Sequence, residues 1–367
     1  MVATRSSAEN PRLLALDAVR ALAILLVIGH HAAYRFIGSK DDVVAAFLRS
    51  VGWIGVDVFF ALSGFLIVRI LLRDAAAHDI AGFFCRRFYR IVPIFAVALV
   101  VFAIGALITG QESGILHRLW MPALLLNGWL IPFFGVDQVQ YVVAWSLSVE
   151  EFAYIVLGLC ALASRKSLWR GVVTFLLIAV MVRWSVLASH AFKAEYLYYF
   201  VPARLDAIAF GGLGAFGVYD RLLRYRYCSW LAGLTTVGLM VAFQWTPVNG
   251  WVLPGIGYSV FGLVCGIWVS SLGVGAPKPT GLFIRAIAPL GKLSYFIYLF
   301  HLFALEAVRK LSSNLLGFEI SFWPGMLLAT ALCFIAARIS WRYFEAPLIR
   351  LARNRARGMQ SPVQESP

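Results

Sequence analysis

The chain has 367 residues, 61% hydrophobic and 14% charged, against roughly 45–50% apolar and about 25% charged in an ordinary soluble domain. That composition excludes a secreted disulfide scaffold, a disordered chain and a soluble enzyme tethered by one helix, because no polar stretch is long enough to form a second globular domain. A formal net charge of +14 raises nucleic acid as a partner, but the basic residues occupy alternate loops between apolar runs. That is the positive-inside pattern of a protein whose partner is the lipid bilayer.

In chain order, apolar runs cover 13–36, 52–72, 91–109, 141–163, 171–189, 201–219, 229–246, 252–272, 288–309 and 323–346. About 20 helical residues cross the roughly 30 Å hydrocarbon layer. The expectation is therefore an all-α integral membrane protein with about ten transmembrane helices. Placing both termini in the cytoplasm puts Arg69, Arg73, Arg86, Arg87 and Arg90 inside, followed by Arg165, Lys166 and Arg170, then Arg221, Arg224 and Arg226, and finally Arg350, Arg353, Arg355 and Arg357. The run 119–134 is short and interrupted by Pro122, Asn127 and Pro132, and an eleventh crossing there would invert every later loop. It reads as a re-entrant or interfacial piece.

Arg5 and Arg12 precede the first run as in a signal peptide, but Asp17 and Arg20 interrupt that run and no small-residue cleavage site follows, so it counts as the first span. Residues 1–349 read as one membrane domain and 350–367 as a basic, disordered cytoplasmic tail. Cys85, Cys160, Cys228, Cys265 and Cys333 lack C-x-x-C spacing and act as small hydrophobes.

A charge at the bilayer centre costs roughly 2.5–3.5 kcal/mol, so ionisable groups inside spans are functional candidates. In the first span Asp17, Arg20 and His31 share a helical face, with Arg20 and His31 roughly 16 Å apart along the axis, while His30 points about 100° away. Asp17 and Arg20 also have the spacing of a simple i, i+3 ion pair. Residues 52–67 carry Asp57 and Ser63 beside Gly55 and Gly64, glycines that equally suit close helix packing. The fourth span opens with Trp145, Ser146, Glu150 and Glu151, and the two adjacent carboxylates diverge by about 100°, so at most one readily faces a given site.

Arg204 and Asp206 begin the sixth span, and the ninth carries Ser294, Tyr295, Tyr298 and His301. Arg86, Arg87 and Arg90, with Arg338, Arg342 and Glu345 near the chain end, suit a basic cytoplasmic mouth for the phosphates of an anionic cosubstrate. They suit anionic lipid headgroups equally well. No Walker A, Rossmann, H-E-x-x-H or G-x-S-x-G pattern and no metal-ligand cluster is present.

These motifs together resemble the acyltransferase family 3 membrane proteins, which modify bacterial surface glycans and other molecules. The resemblance rests on Leu16-Asp17-Ala18-Val19-Arg20 followed by His31, on 55–67, on 145–151, and on Leu293-Ser294-Tyr295 through His301. Weaker matches are 87–93, Arg204-Leu205-Asp206 and 341–345, so the similarity runs from about 13 to 349. Ala18 and Ala21 stand where members commonly have glycine, and Phe152 and Ala153 where many have glutamine and phenylalanine.

The resemblance implies a ten-helix enzyme of the bacterial cytoplasmic membrane. It would move an acyl group, often acetyl, from cytoplasmic acyl-CoA to a hydroxyl of a saccharide or glycolipid, with acyl-CoA as cosubstrate and no bound cofactor or metal. The family's arginine, ten residues, then histidine falls on Arg20 and His31, leaving His30 without a family role. On this reading His31 is the base or acyl carrier. Arg20, with Asp17, orients the donor, and Glu150 or Glu151 polarises His31 or binds acceptor hydroxyls. Asp57, Ser63, Trp145, Ser146, Arg86, Arg87, Arg90, Arg204, Asp206, Tyr298 and His301 are expected at substrate or donor. A polytopic transporter or flippase is the alternative, and it predicts paired repeats with broken helices.

Overall fold

In hydrocarbon a backbone must satisfy its own N–H and C=O groups, and this chain does so with helices joined by turns. The computed structural model describes residues 11–38, 42–76, 79–108, 116–225, 227–246, 250–274 and 281–359. Among the described residues the one β-pairing is a bridge between Ile37 and Ser321. The helices are α1 (Pro11–Arg35), α2 (Val43–Val51), α3 (Gly55–Ala76), α4 (Ile80–Ile108), the short α5 (Asn127–Phe134), α6 (Trp145–Ala163) and α7 (Arg165–Ser189). They continue with α8 (Leu205–Ala215), α9 (Cys228–Phe243), α10 (Tyr258–Val274), α11 (Leu282–Lys292), α12 (Ser294–Lys310), α13 (Phe322–Ser340) and α14 (Ala346–Met359).

Among the described residues, seven helical segments are long and apolar enough to cross a membrane, and α11 with α12, bent by 75°, makes an eighth. The runs 201–219 and 229–246 are helical but yield only the 11 residues of α8 and the 16 of α9. Residues 205–212 are buried on every side, enclosed by α3, α7 and α10. A helix wrapped in protein has no lipid-facing length to match, which is why this one is short.

Helices α3 and α8 touch backbone to backbone. A Cβ on Gly64 would collide with the Ile208 carbonyl, and one on Gly211 with the Ala61 carbonyl. Gly64→Ala is expected to lower stability by about 1–3 kcal/mol through overpacking, read as a lower melting temperature in detergent. An unchanged melting temperature would mean that the crossing has slack.

The run 119–134 folds as a single helical turn, Trp120–Ala123, and α5. Asn127 Nδ2 ties it down by donating to the Gln140 and Tyr141 carbonyls at 2.9 and 3.0 Å.

The segment expected to be a disordered tail differs from that expectation as far as Met359. It continues as α14 and packs along α4. Ala352 and Ala356, at i, i+4 spacing, form a small apolar stripe on an otherwise basic helix and are buried there, while Arg355 donates to the Tyr89 hydroxyl. Arg5, Arg226 and 360–367 lie outside the described residues.

Candidate active site

Helix α6 aims Ser146, Glu150 and Tyr154 along one face, each four residues from the next. That face joins α3, α4 and α12 around a cavity of about 90 Å³, whose polar lining includes Arg87, Arg90, Ser146, Glu150, Glu151 and Tyr295. Glu150 accepts at both oxygens, from Ser63 Oγ at 2.8 Å and from the Tyr154 hydroxyl at 2.7 Å. The Arg87 guanidinium stands 4.8 Å from the Tyr154 ring centre, and Arg87 and Arg20 supply the positive charge that reaches Glu150. On the opposite wall the Tyr298 hydroxyl accepts from Ser146 Oγ at 2.7 Å and donates to the Val143 carbonyl at 3.0 Å.

One helical turn beyond Tyr298 comes His301, its ring centre 5.8 Å from the Tyr298 ring. His301 Nδ1 lies 2.6 Å from the Tyr298 carbonyl oxygen. A carbonyl only accepts, so Nδ1 carries the proton and Nε2 is left as an acceptor. That Nε2 is buried and has no hydrogen-bond partner. The His31 ring lies beside the His301 ring from α1, with centroids 5.1 Å apart and planes tilted by 40°.

His30 turns instead toward α2, where its Nδ1 lies 3.3 Å from the Leu48 carbonyl. Lower on α1, Arg20 Nη1 meets Asp17 Oδ1 at 2.7 Å. Helix α11 presses directly on this point, because a Cβ on Gly291 would strike the Asp17 carbonyl. The contact holds α11 just before the chain bends into α12, the helix that carries Tyr298 and His301.

Two expected groupings come apart. Arg86 is 100° round α4 from Arg87, and two carboxylates hold it where α3 passes into α4. Its Nη2 lies 2.6 Å from Asp74 Oδ2 and its Nη1 2.7 Å from Asp79 Oδ2, so Arg86 is not part of the cavity lining.

Asp57, Arg204 and Asp206, expected at the substrate, form a separate buried network. Arg204 pairs with Asp57, Arg183 Nη2 meets Asp206 Oδ2 at 2.8 Å, and Ser259 Oγ donates to Asp206 Oδ2 at 2.7 Å. The Arg204 guanidinium lies 3.9 Å from the Tyr258 ring centre. Two cations and two anions balance here, offsetting the cost of burying each. Trp145 packs between network and cavity, against Tyr198 at 4.7 Å and Phe60 at 5.8 Å between ring centres.

Several members of these clusters escaped the reading of the sequence. Arg183 carries the same signal as Arg20, a charge inside an apolar run. Tyr154 follows Glu150 at i+4 and is readable from helical spacing. Tyr198, Tyr258 and Ser259 come from remote stretches, and no local pattern ties them to Arg204 or Asp206.

Residues 13–341 match the acyltransferase domain family. BcsY of Komagataeibacter xylinus, named as a membrane-bound transacylase, is 25% identical over 332 residues, 87% of this chain and 74% of that protein. OatA of Listeria monocytogenes, a peptidoglycan O-acetyltransferase, is 25% identical over 361 residues, 91% of this chain but 55% of that protein. YrhL of Bacillus subtilis, named as a peptidoglycan O-acetyltransferase, is 29% identical over 219 residues, 53% of this chain and 32% of that protein. No solved structure matches the chain. With the apolar helices, the clustered motif residues and a family match across nearly its whole length, the chain belongs to the acyltransferase 3 family of multi-pass membrane proteins.

Proposed function

We propose that the protein takes an acetyl group from acyl-CoA at the cytoplasmic face of a bacterial cytoplasmic membrane and esterifies a hydroxyl of a saccharide, such as a surface polysaccharide or its lipid-linked precursor. The observation that carries this reading is a series of polar groups that follow one another between the helices. It runs from Arg87 and Glu150 through Ser146 and Tyr298 to His301 and His31. The names of the relatives point the same way.

In this reading α8 and α9 complete ten crossings with both termini cytoplasmic. The Arg87 and Arg90 end then opens inward, and His31 lies in the outer half. Arg87 and Arg90 attract the donor's phosphates, and Arg20, held by Asp17, steadies the CoA arm on the cytoplasmic side of the thioester, which extends to His31. His31 takes the proton of the acceptor hydroxyl as that oxygen attacks the thioester carbonyl. The new C–O bond forms, the C–S bond breaks, and the thiolate leaves with the proton from the imidazolium. The products are an ester and free CoA, and no bound cofactor is needed.

Asp57, Arg204 and Asp206 serve here as a frame that holds α3 against α8, and Trp145 as part of the wall between that frame and the cavity. The test is thiol release from acetyl-CoA by the purified protein in lipid, with a panel of sugar acceptors. Release in step with ester formation supports transfer, whereas movement of the acceptor across the bilayer without release favours a transporter.

The same assay separates the two adjacent carboxylates. Glu150 holds two hydroxyls in the cavity, so Glu150→Gln is expected to cut turnover at least about tenfold, on the scale of one charge-assisted contact. Glu151→Gln should stay within about threefold. Equal losses in both variants would remove the special place given to Glu150.

A further inference from the structure

We infer that His301 is the positioning partner of His31, its bare Nε2 accepting the N–H of the His31 ring and so deciding which His31 nitrogen is free to take the acceptor's proton. The inference rests on the proposed transfer reaction and adds a residue to it. His301 donates through Nδ1 to the Tyr298 carbonyl at 2.6 Å, which fixes its tautomer and leaves Nε2 as a buried acceptor without a partner. Leaving such an atom unmet costs about 1–3 kcal/mol.

The neighbouring groups are committed elsewhere. The Tyr298 hydroxyl donates to the Val143 carbonyl, and His30 Nδ1 sits at the Leu48 carbonyl. The Arg35 guanidinium, whose charge also reaches His301, donates through Nη1 to the His31 carbonyl at 3.2 Å, and the His31 ring stands at 5.1 Å between centroids. That is close to the separation of two imidazoles joined edge to edge by an N–H···N bond. With one His31 nitrogen held this way, the other presents its lone pair, and the charge that forms on His31 during transfer meets an acceptor backed by a backbone carbonyl. The same logic orients a base through a second residue in catalytic triads.

The test compares His301→Gln, His301→Asn and His301→Phe in the full chain in lipid, measuring kcat and KM for acetyl-CoA. Glutamine places an acceptor near the Nε2 position. Asparagine reaches only the Tyr298 carbonyl, and phenylalanine reaches neither. Glutamine is expected to keep kcat within about tenfold of wild type, with asparagine and phenylalanine about 10²-fold down and KM little changed in all three. Glutamine and asparagine are both polar and compact, so the gap between them reads position rather than folding. Equal kcat for the two, or a loss carried by KM, overturns the inference. A wild-type protein that transfers no acetyl overturns the proposed function as well.

Discussion

Alanine at position 31 is expected to lower acetyl transfer by about 10²- to 10⁴-fold, the usual contribution of a positioned acid–base group. The argument starts from placement. His31 stands on the face of α1 that also carries the Asp17–Arg20 pair, and its ring meets His301 at the end of the polar series from Glu150. It is half-buried, with the His30 and His301 rings beside it, so its removal is expected to leave a limited defect in the fold. The paired control is His30→Ala, which alters the contact with α2 at Leu48 and should leave turnover within about threefold. The measurement is acceptor-dependent ester formation, with a melting curve of each variant. A folded His31→Ala protein that retains wild-type turnover would remove His31 from the reaction.

The second large effect concerns stability. Arg204 and Asp57 are 0% and 1% exposed, and Arg204→Met leaves the Asp57 carboxylate without its cation in a dry interior. Breaking one side of such a pair typically costs about 3–5 kcal/mol, because the remaining charge is uncompensated. The Arg183–Asp206 pair beside it is intact but already balanced, so it offers no spare charge.

The double variant Arg204→Met with Asp57→Leu removes one cation and one anion together. It is expected to recover most of the loss, since apolar replacements of a buried pair are often neutral or better. Melting temperature and folded yield after extraction in detergent give the readout. A single variant no less stable than the double would show that the two charges do not depend on each other.

Periodicity made much of the fold legible, because lipid demands long apolar helices. Helix α8 marks the limit of that approach. An apolar run such as 201–219 announces burial, but burial by protein and burial by lipid look alike in composition, so the run does not reveal that its helix has only 11 residues and is enclosed by its neighbours.

The site divides along similar lines. Pairs within one helix, such as Asp17 with Arg20, follow from spacing. Pairs across helices, such as Ser63 with Glu150 and His31 with His301, become visible only when α3, α6, α1 and α12 are assembled. Arg86 shows the converse. Its neighbours in sequence suggested a shared role, but a 100° step round α4 and two carboxylates at Asp74 and Asp79 take it out of the cavity. The tail failed for a related reason, since alanines among arginines look unstructured until α4 offers them a surface.

The most direct measurement uses inside-out membrane vesicles holding the protein, with radiolabelled acetyl-CoA supplied to the exposed cytoplasmic face and a saccharide acceptor enclosed in the lumen. The expected result is label in the luminal saccharide as a base-labile ester, formed mole for mole with free CoA thiol outside and lost in His31→Ala vesicles. Label that stays in acetyl-CoA while the saccharide crosses the membrane unmodified would contradict it and assign these helices to transport.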